Sequence, residues 1–151
     1  MDTRLLVAIE TELSAEKPVM LATIVARTGS APRGIGTAMS VSIDGEQTGT
    51  VGGGSLEFRV RQDALSLLQT GKCAVKQYEI HTDEKSVYSG AVTILFRPFA
   101  GESGRELLHD MTRALEAGQE AYLVCQMLDS CALESAVLSA QALRQRCNLA
   151  S

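Results

Sequence analysis

The 151-residue sequence predicts an α/β protein, a single domain in which a mixed β-sheet packs with helices. The first observation behind this prediction is that segments with helical apolar spacing interleave with short segments of strand character. The second is that glycine-rich turns separate these segments. A hydrophobic content of 45% and a charged content of 21% are ordinary for a folded domain, which excludes a disordered chain.

The first third of the chain has the pattern of a helix followed by three strands. Apolar residues recur at helical spacing in residues 2–15, which predicts an amphipathic helix. Residues 19–27 are a continuous apolar run, typical of a strand that is buried on both faces. Residues 38–43 alternate in polarity and residues 47–51 return after an Asp-Gly turn, which predicts a hairpin.

The next elements are two helices and two strands. Three consecutive glycines precede SLEFRVRQDALSLLQT, in which apolar residues recur at steps of four and predict a second helix. Residues 73–80 and 91–99 are the next strand candidates. A third helix is predicted after Gly101, where Ser103 and Glu106 have the spacing of a capping box.

The end of the chain is predicted to form a tail. Residues 121–127 are the last predicted strand, and residues 132–146 have a weak helical pattern. We therefore divide the chain into a domain at residues 1–130 and a weakly helical C-terminal tail at residues 131–151.

Charge and composition exclude several classes of protein. Fourteen basic residues stand against eighteen acidic ones and there is no tryptophan, so neither a phosphate-binding basic cluster nor stacking platforms for nucleic acid are present. No apolar run approaches the roughly 20 residues that span a bilayer. The N-terminal residues lack the pattern of a signal or transit peptide, so a cytoplasmic protein without membrane contact is expected.

Neither a metal site nor a catalytic set is predicted. The cysteines are Cys73, Cys125, Cys131 and Cys147. No two of them have the close spacing of a zinc site, and most are expected to be small buried hydrophobes. His81 at a strand end and His109 beside an apolar helical stripe are expected at the surface, with no sequence context that places either beside a nucleophile.

Two glycine-rich loops form the candidate binding site. GTVGGGSLE joins a predicted strand to a helix, whose N-terminus offers unpaired N–H groups and a positive dipole end to an anion. Ser55 either caps this helix or binds a ligand oxygen. Glu57 either complements the helix dipole or accepts hydrogen bonds from a donor-rich ring.

The loop TGSAPRGIG at residues 28–36 adds a guanidinium that suits phosphate. Because both loops follow predicted strands, they are expected at one end of the sheet. The alternative is that the glycines only form tight turns and that Arg33 is a solvated surface charge. The residues alone leave both interpretations open and name no ligand. The candidate site residues are Ser30, Pro32, Arg33, Gly52, Gly53, Gly54, Ser55 and Glu57.

Residues 29–65, GSAPRGIGTAMSVSIDGEQTGTVGGGSLEFRVRQDAL, resemble the N-terminal domain of the XdhC/CoxI family, the xanthine dehydrogenase accessory proteins. That family has a Gly-Ser-x-Pro-Arg loop, an alternating strand, and then Gly-Thr-Ile/Val-Gly-Gly-Gly followed by a small residue, an apolar residue and Glu. All of these occur here in the same order. AVTILFRPF at residues 91–99 also resembles a later strand of the family, and the resemblance extends from about residue 3 to residue 127.

The resemblance implies a chaperone that binds the molybdenum cofactor (molybdopterin) transiently and inserts it into a molybdenum hydroxylase of the xanthine dehydrogenase type. It implies that hydroxylase and a cysteine desulfurase as partners, a homodimer, and no catalytic turnover of its own. The phosphate and the donor-rich pterin of the cofactor match the glycine-rich amides, Arg33 and Glu57 of the candidate site.

The sequence departs from the family pattern in two places. Family members usually carry Cys-Gly-Gly before the later strand, where this chain has Tyr88, Ser89 and Gly90. Many members continue into a Rossmann-like domain, so a stand-alone module or half of a split system is expected here. The alternative function is a degenerate, cofactor-free module that pairs with the hydroxylase or with a separate Rossmann-domain partner. A nucleotide-binding enzyme is disfavoured because no catalytic set is recognisable.

Overall fold

The computed structural model describes residues 1–30, 33–81, 88–129 and 133–150. In chain order the elements are α1 (Thr3–Ser14), β1 (Val19–Gly29), β2 (Ala38–Ser42), β3 (Gln47–Gly49), α2 (Gly54–Thr70), β4 (Ala74–His81), β5 (Tyr88–Phe99), α3 (Gly101–Glu116), β6 (Ala121–Met127), β7 (Leu133–Ser139) and α4 (Ala140–Ala150). No helix in these described ranges is long and apolar enough to cross a membrane.

The predicted α/β class is confirmed. Five strands form one sheet in the order β3-β2-β1-β5-β4, and β6 and β7 form a separate hairpin. Each pairing in the five-stranded sheet is antiparallel, so the sheet is not mixed in strand direction. Neighbouring strands in an antiparallel sheet can be joined by short turns, and β2 and β3 are joined in this way around Gly45.

The sheet is covered by helices on both faces, which explains the continuous apolar run of β1. Met20, Ala22 and Ile24 pack in the same apolar cluster as α2. Val19 and Leu21, which alternate with them, pack in a second cluster with α1 and α3. Because successive strand residues point to opposite faces, a strand between two helical layers needs apolar residues at every position.

Helix α3 begins earlier than the capping-box prediction allows. Its N-cap is Ala100, which makes no side-chain capping hydrogen bond, so the prediction that Ser103 caps the helix is wrong. Gly104 is buried in the first turns, and a Cβ at this position would lie 3.2 Å from the backbone carbon of Phe99. Helix α3 therefore starts directly after β5 and packs closely onto the end of that strand.

The prediction of a helical tail is wrong for residues 133–139, which form strand β7. This strand pairs with β6 in register, with Tyr122 opposite Leu138. Leu123 and Val137 contact the apolar cluster of α1 and α3, so packing against the core favours the strand over the weak helical pattern. Within the described part of the predicted tail, only α4 is helical. The β6–β7 hairpin spans residue 130, and the division of the chain at that residue stays a prediction.

The histidines and cysteines occupy varied environments. His81 and His109 are exposed, as predicted from their positions at a strand end and beside an apolar stripe. Cys73 is buried, whereas Cys125 is half-buried and Cys147 is exposed, so burial is confirmed only for the first of these three. Cys131 lies outside the described residues.

Strands β1 and β5 approach each other unusually closely near residues 28–30. Gly29 pairs with Gly90, and the N–H of Ser30 donates to the carbonyl of Ser89 over 2.8 Å. A Cβ added at Gly90 would lie only 2.3 Å from the carbonyl oxygen of Thr28. Any side chain at this position therefore forces the two strands apart.

We expect Gly90→Ala to lower the free energy of unfolding by about 1–3 kcal/mol, the usual cost of overpacking. The matched control is Gly34→Ala, since a Cβ at Gly34 meets no heavy atom within 4 Å. The control is expected to be neutral or to stabilise by up to about 1 kcal/mol through the unfolded chain. Urea denaturation of both variants measures the difference, and equal effects would contradict the close approach.

Candidate anion-binding site

The loop between β3 and α2 has a backbone conformation that favours glycine. Gly52, Gly53 and Gly54 have φ angles of +132°, +78° and +60°, a region that other residues rarely adopt. A Cβ built on Gly53 or Gly54 would meet no heavy atom within 4 Å. The positive φ angles rather than internal crowding therefore require glycine here, and space remains open beside the main chain.

This conformation exposes the N-terminus of α2. Gly53 is the N-cap, and the first helical hydrogen bond runs from the N–H of Glu57 to the carbonyl of Gly53 over 3.3 Å. Within the described part of the chain, the N–H groups of Gly54, Ser55 and Leu56 have no acceptor. Together with the positive end of the helix dipole, these donors form a site suited to an anion.

Ser55 is not the helix cap, so one of its two predicted roles is wrong. The helix begins one residue before it and makes no side-chain capping hydrogen bond. The Ser55 side chain is exposed, and none of the described residues forms a hydrogen bond with its hydroxyl. Its hydroxyl therefore remains available to a ligand oxygen.

Glu57 holds the glycine loop in place from within. Its carboxylate accepts hydrogen bonds from the Thr50 hydroxyl and, over 3.2 Å, from the N–H of Val51. The Thr50 hydroxyl oxygen in turn accepts from the N–H of Gly52 over 3.0 Å. Partial burial alone would raise the pKa of Glu57, but these and neighbouring hydrogen bonds outweigh it and lower the pKa below its usual value.

A cavity of about 230 Å³ opens in front of the glycine loop. Its lining residues are Gly52, Gly53, Gly54, Ser55, Leu56, Arg59, Ile80 and His81. Four of the predicted site residues, the three glycines and Ser55, thus lie together at one cavity. Glu57 supports the loop without lining the cavity.

Arg59 is the cationic residue at this cavity that sequence reasoning missed. Its Nη2 donates to the carbonyl of Glu79 over 3.0 Å, and its guanidinium lies 5.6 Å from the centre of the Tyr78 ring. These contacts hold a positive charge beside the helix N-terminus. The available signal was its spacing, because residues four apart share a helix face and Arg59 follows Ser55 by four.

His81 also lines the cavity, contrary to the expectation that its context places it away from the loops. Its Nε2 lies 3.7 Å from the carboxylate of Glu79. The position of His81 depends on strand pairing between β4 and β5, which local sequence does not reveal.

The first glycine-rich loop starts at the same end of the sheet but does not line this cavity. Gly29 pairs with Gly90, which in turn pairs with the cavity residue Ile80, so two strand spacings of about 5 Å each separate them. Arg33 is exposed, and its carbonyl accepts a hydrogen bond of 3.5 Å from Arg27. Ser30 is also exposed, and Pro32 lies outside the described residues.

Residues 12–79 match the model of the XdhC and CoxI family. The resemblance to this family is confirmed over these residues. The matched residues run from α1 to β4 and include both glycine-rich loops, whereas Tyr88, Ser89 and Gly90 lie beyond them. Comparison with curated proteins finds no match.

A solved structure supports the fold. A crystal structure described as a xanthine dehydrogenase from Bacillus halodurans is similar to this chain, with a TM-score of 0.70 and 24% sequence identity. The similarity covers 88% of this chain and 41% of that one, so the chain spans less than half of its structural relative. At this level of identity the likeness shows a shared fold.

We expect Glu57→Gln to lower the free energy of unfolding at neutral pH by about 1–2 kcal/mol, because it removes charge from a hydrogen-bonded carboxylate. The pKa of Glu57 is lowered in the folded state, so its stabilisation is present above the unfolded pKa of about 4.3. It is lost as the pH falls through the folded pKa. Urea denaturation from pH 7 to pH 3 should show the wild-type advantage shrinking.

The matched control for this experiment is Glu116→Gln, which removes an exposed carboxylate at the end of α3. It reports the general effect of one lost negative charge at each pH. A wild-type advantage over Glu57→Gln that stays constant across the pH range would contradict a role for the Glu57 charge.

Proposed function

We propose that this chain is an accessory protein that binds the molybdenum cofactor transiently and inserts it into a molybdenum hydroxylase of the xanthine dehydrogenase type. The observation that carries the proposal is the open cradle at the start of α2, whose N–H groups have no acceptor among the described residues, with Arg59 beside it. The family match over residues 12–79 supports the same function, because it includes the loop that builds this cradle.

The chemistry of the cradle fits the phosphate end of molybdopterin. A phosphate monoester carries negative charge and several acceptor oxygens, which suit helix N–H groups and a guanidinium. The hydroxyl of Ser55 adds a further donor. A cavity of about 230 Å³ is small for the whole cofactor but suits its phosphate-bearing end.

Under this proposal the groups at the cavity bind and release the cofactor without turnover. Main-chain donors, a hydroxyl and a cation stabilise a bound anion without forming or breaking a bond in it. Under this proposal the partners are the hydroxylase and a cysteine desulfurase, and the chain acts in the cytoplasm as a homodimer. Arg33 and Ser30 contact the part of the cofactor that extends beyond the cavity.

A second candidate function is a cofactor-free module that pairs with the hydroxylase or with a separate Rossmann-domain partner. The observation that favours it is the absence of the thiol where family members carry Cys-Gly-Gly, since Tyr88 occupies that position. The two candidates differ in one measurable property, the presence of bound molybdenum and pterin.

The test is to express the chain in a host that makes the cofactor, purify it without oxygen, and measure molybdenum and pterin per chain. We expect both in equal amounts, and Arg59→Ala should lower them about tenfold or more because it removes a charge-assisted contact. Arg113→Ala is the matched control, since this exposed arginine lies at the end of α3 and lines neither glycine-rich loop. Wild-type protein free of molybdenum and pterin would support the cofactor-free module instead.

A second pair of variants tests which loop holds the anion. Gly53→Val places a branched side chain at a φ of +78° and in the open space beside the main chain, so it should abolish cofactor retention. Arg33→Ala should reduce retention less than Arg59→Ala does. Circular dichroism checks that each variant is folded, and normal retention by folded Gly53→Val would exclude the cradle as the site.

A further inference from the structure

A second cavity, of about 420 Å³, lies on the other helical face of the sheet. It lies between the end of β5, helix α3 and strand β7, and its wall includes Arg97, Glu106, Asp110 and Ser135. Arg97 lies seven residues along β5 from Gly90, about 23 Å in an extended strand. This cavity is therefore separate from the glycine loop, and binding in it is independent of the proposed function.

Arg97 is a partly buried cation whose hydrogen bonding is incomplete. Its Nη1 donates to the carbonyl of Pro98 over 2.5 Å, and its guanidinium lies 5.2 Å from the centre of the Phe99 ring. Its Nε is buried without an acceptor, and no described carboxylate lies within 4 Å of the guanidinium. Burying a charge without a partner is costly, so this guanidinium favours an anionic partner.

The geometry of the unused donors suits a carboxylate. A guanidinium donates charge-assisted hydrogen bonds to carboxylate oxygens, which are stronger than bonds between neutral groups. The bond to Pro98 uses Nη1. Nε is buried, whereas Nη2 is not among the buried unpartnered atoms and has no hydrogen bond in the described residues, so Nη2 is the donor left for an oxygen of a ligand in the cavity.

Another part of the cavity lining carries negative charge. Glu106 and Asp110 lie one turn apart on α3 and both line the cavity, yet neither forms an ion pair with a described residue. A ligand with only negative charge would meet repulsion from these carboxylates. A ligand that carries an ammonium group as well as a carboxylate satisfies both parts of the lining.

We propose that this cavity binds a small zwitterion of the α-amino acid class, with the ligand carboxylate on Arg97 and the ligand ammonium on Glu106 and Asp110. The hydroxyls of Ser103 and Ser135 on the cavity wall supply further polar contacts. The volume of about 420 Å³ accommodates a free amino acid.

The experiment titrates the full chain by calorimetry with each of the twenty standard amino acids, and with acetate and ethanolamine as the two halves of a zwitterion. We expect saturable binding of at least one amino acid, and binding of acetate and ethanolamine that is about tenfold weaker or more. No binding by any of the twenty amino acids, or equally tight binding of acetate, would overturn the proposal.

Variants in the two parts of the lining test the assignment of each group. Arg97→Gln should abolish binding of the best amino acid, and Asp110→Asn should weaken it about tenfold while leaving acetate binding unchanged or stronger. Because Arg97 also packs on Phe99, the exposed Asp110 is the variant that keeps the test valid if Arg97→Gln does not fold. Glu116→Gln on the same helix is the control, and amino acid binding by Asp110→Asn at the wild-type affinity would contradict the proposal.

Discussion

The fold depends on strand β1 being buried on both of its faces. Met20, Ala22 and Ile24 are fully buried beneath α2, and Val19 and Leu21 are buried to the same degree beneath α1 and α3. Each of these side chains other than that of Ala22 contributes about 1.5–3 kcal/mol when removed from water. Since β1 also lies between β2 and β5, both helical layers and both halves of the sheet are organised around one strand.

This central strand determines where the two cavities lie. Its residues from Val19 to Gly29 pair along the length of β5, so the ends of β5 lie beside the two ends of β1. Gly90 and the glycine-rich cavity are near one end, and Arg97 and the second cavity are near the other. The two cavities therefore share a sheet but differ in the charged residues of their lining, since Arg59 lines the first and Arg97, Glu106 and Asp110 line the second.

The sequence predicts those features that depend on local pattern. Helix α2 follows from apolar residues at steps of four, and its termination at Gly71 follows from the left-handed conformation that glycine adopts there. Apolar spacing does not predict the elements whose structure depends on long-range packing. Strand β7 forms because Val137 reaches the apolar cluster of α1 and α3, and α3 begins early where Gly104 packs against Phe99.

The same division between local and long-range effects holds for the candidate site. The glycines and Ser55 are predictable because three consecutive glycines before a helix already specify an exposed N-terminus. The position of Arg59 is fixed by the carbonyl of Glu79, a residue on another element that is twenty positions away in sequence. The spacing from Ser55 places Arg59 on the same helix face but does not reveal this contact, so local sequence predicts the main-chain donors of the candidate site better than its charged group.

The close approach of β1 and β5 explains the residue types in the second half of the Tyr88–Gly90 segment. Gly90 has a structural reason to be glycine, because a Cβ would lie 2.3 Å from the carbonyl of Thr28. The Ser89 hydroxyl is also engaged, since it donates to the carbonyl of the cavity residue Ile80 over 3.1 Å. Packing and hydrogen bonding within the sheet therefore account for Ser89 and Gly90 without a thiol nearby. The conformation of the glycine loop depends on its positive φ angles and on the Glu57 carboxylate behind it, and neither involves position 88.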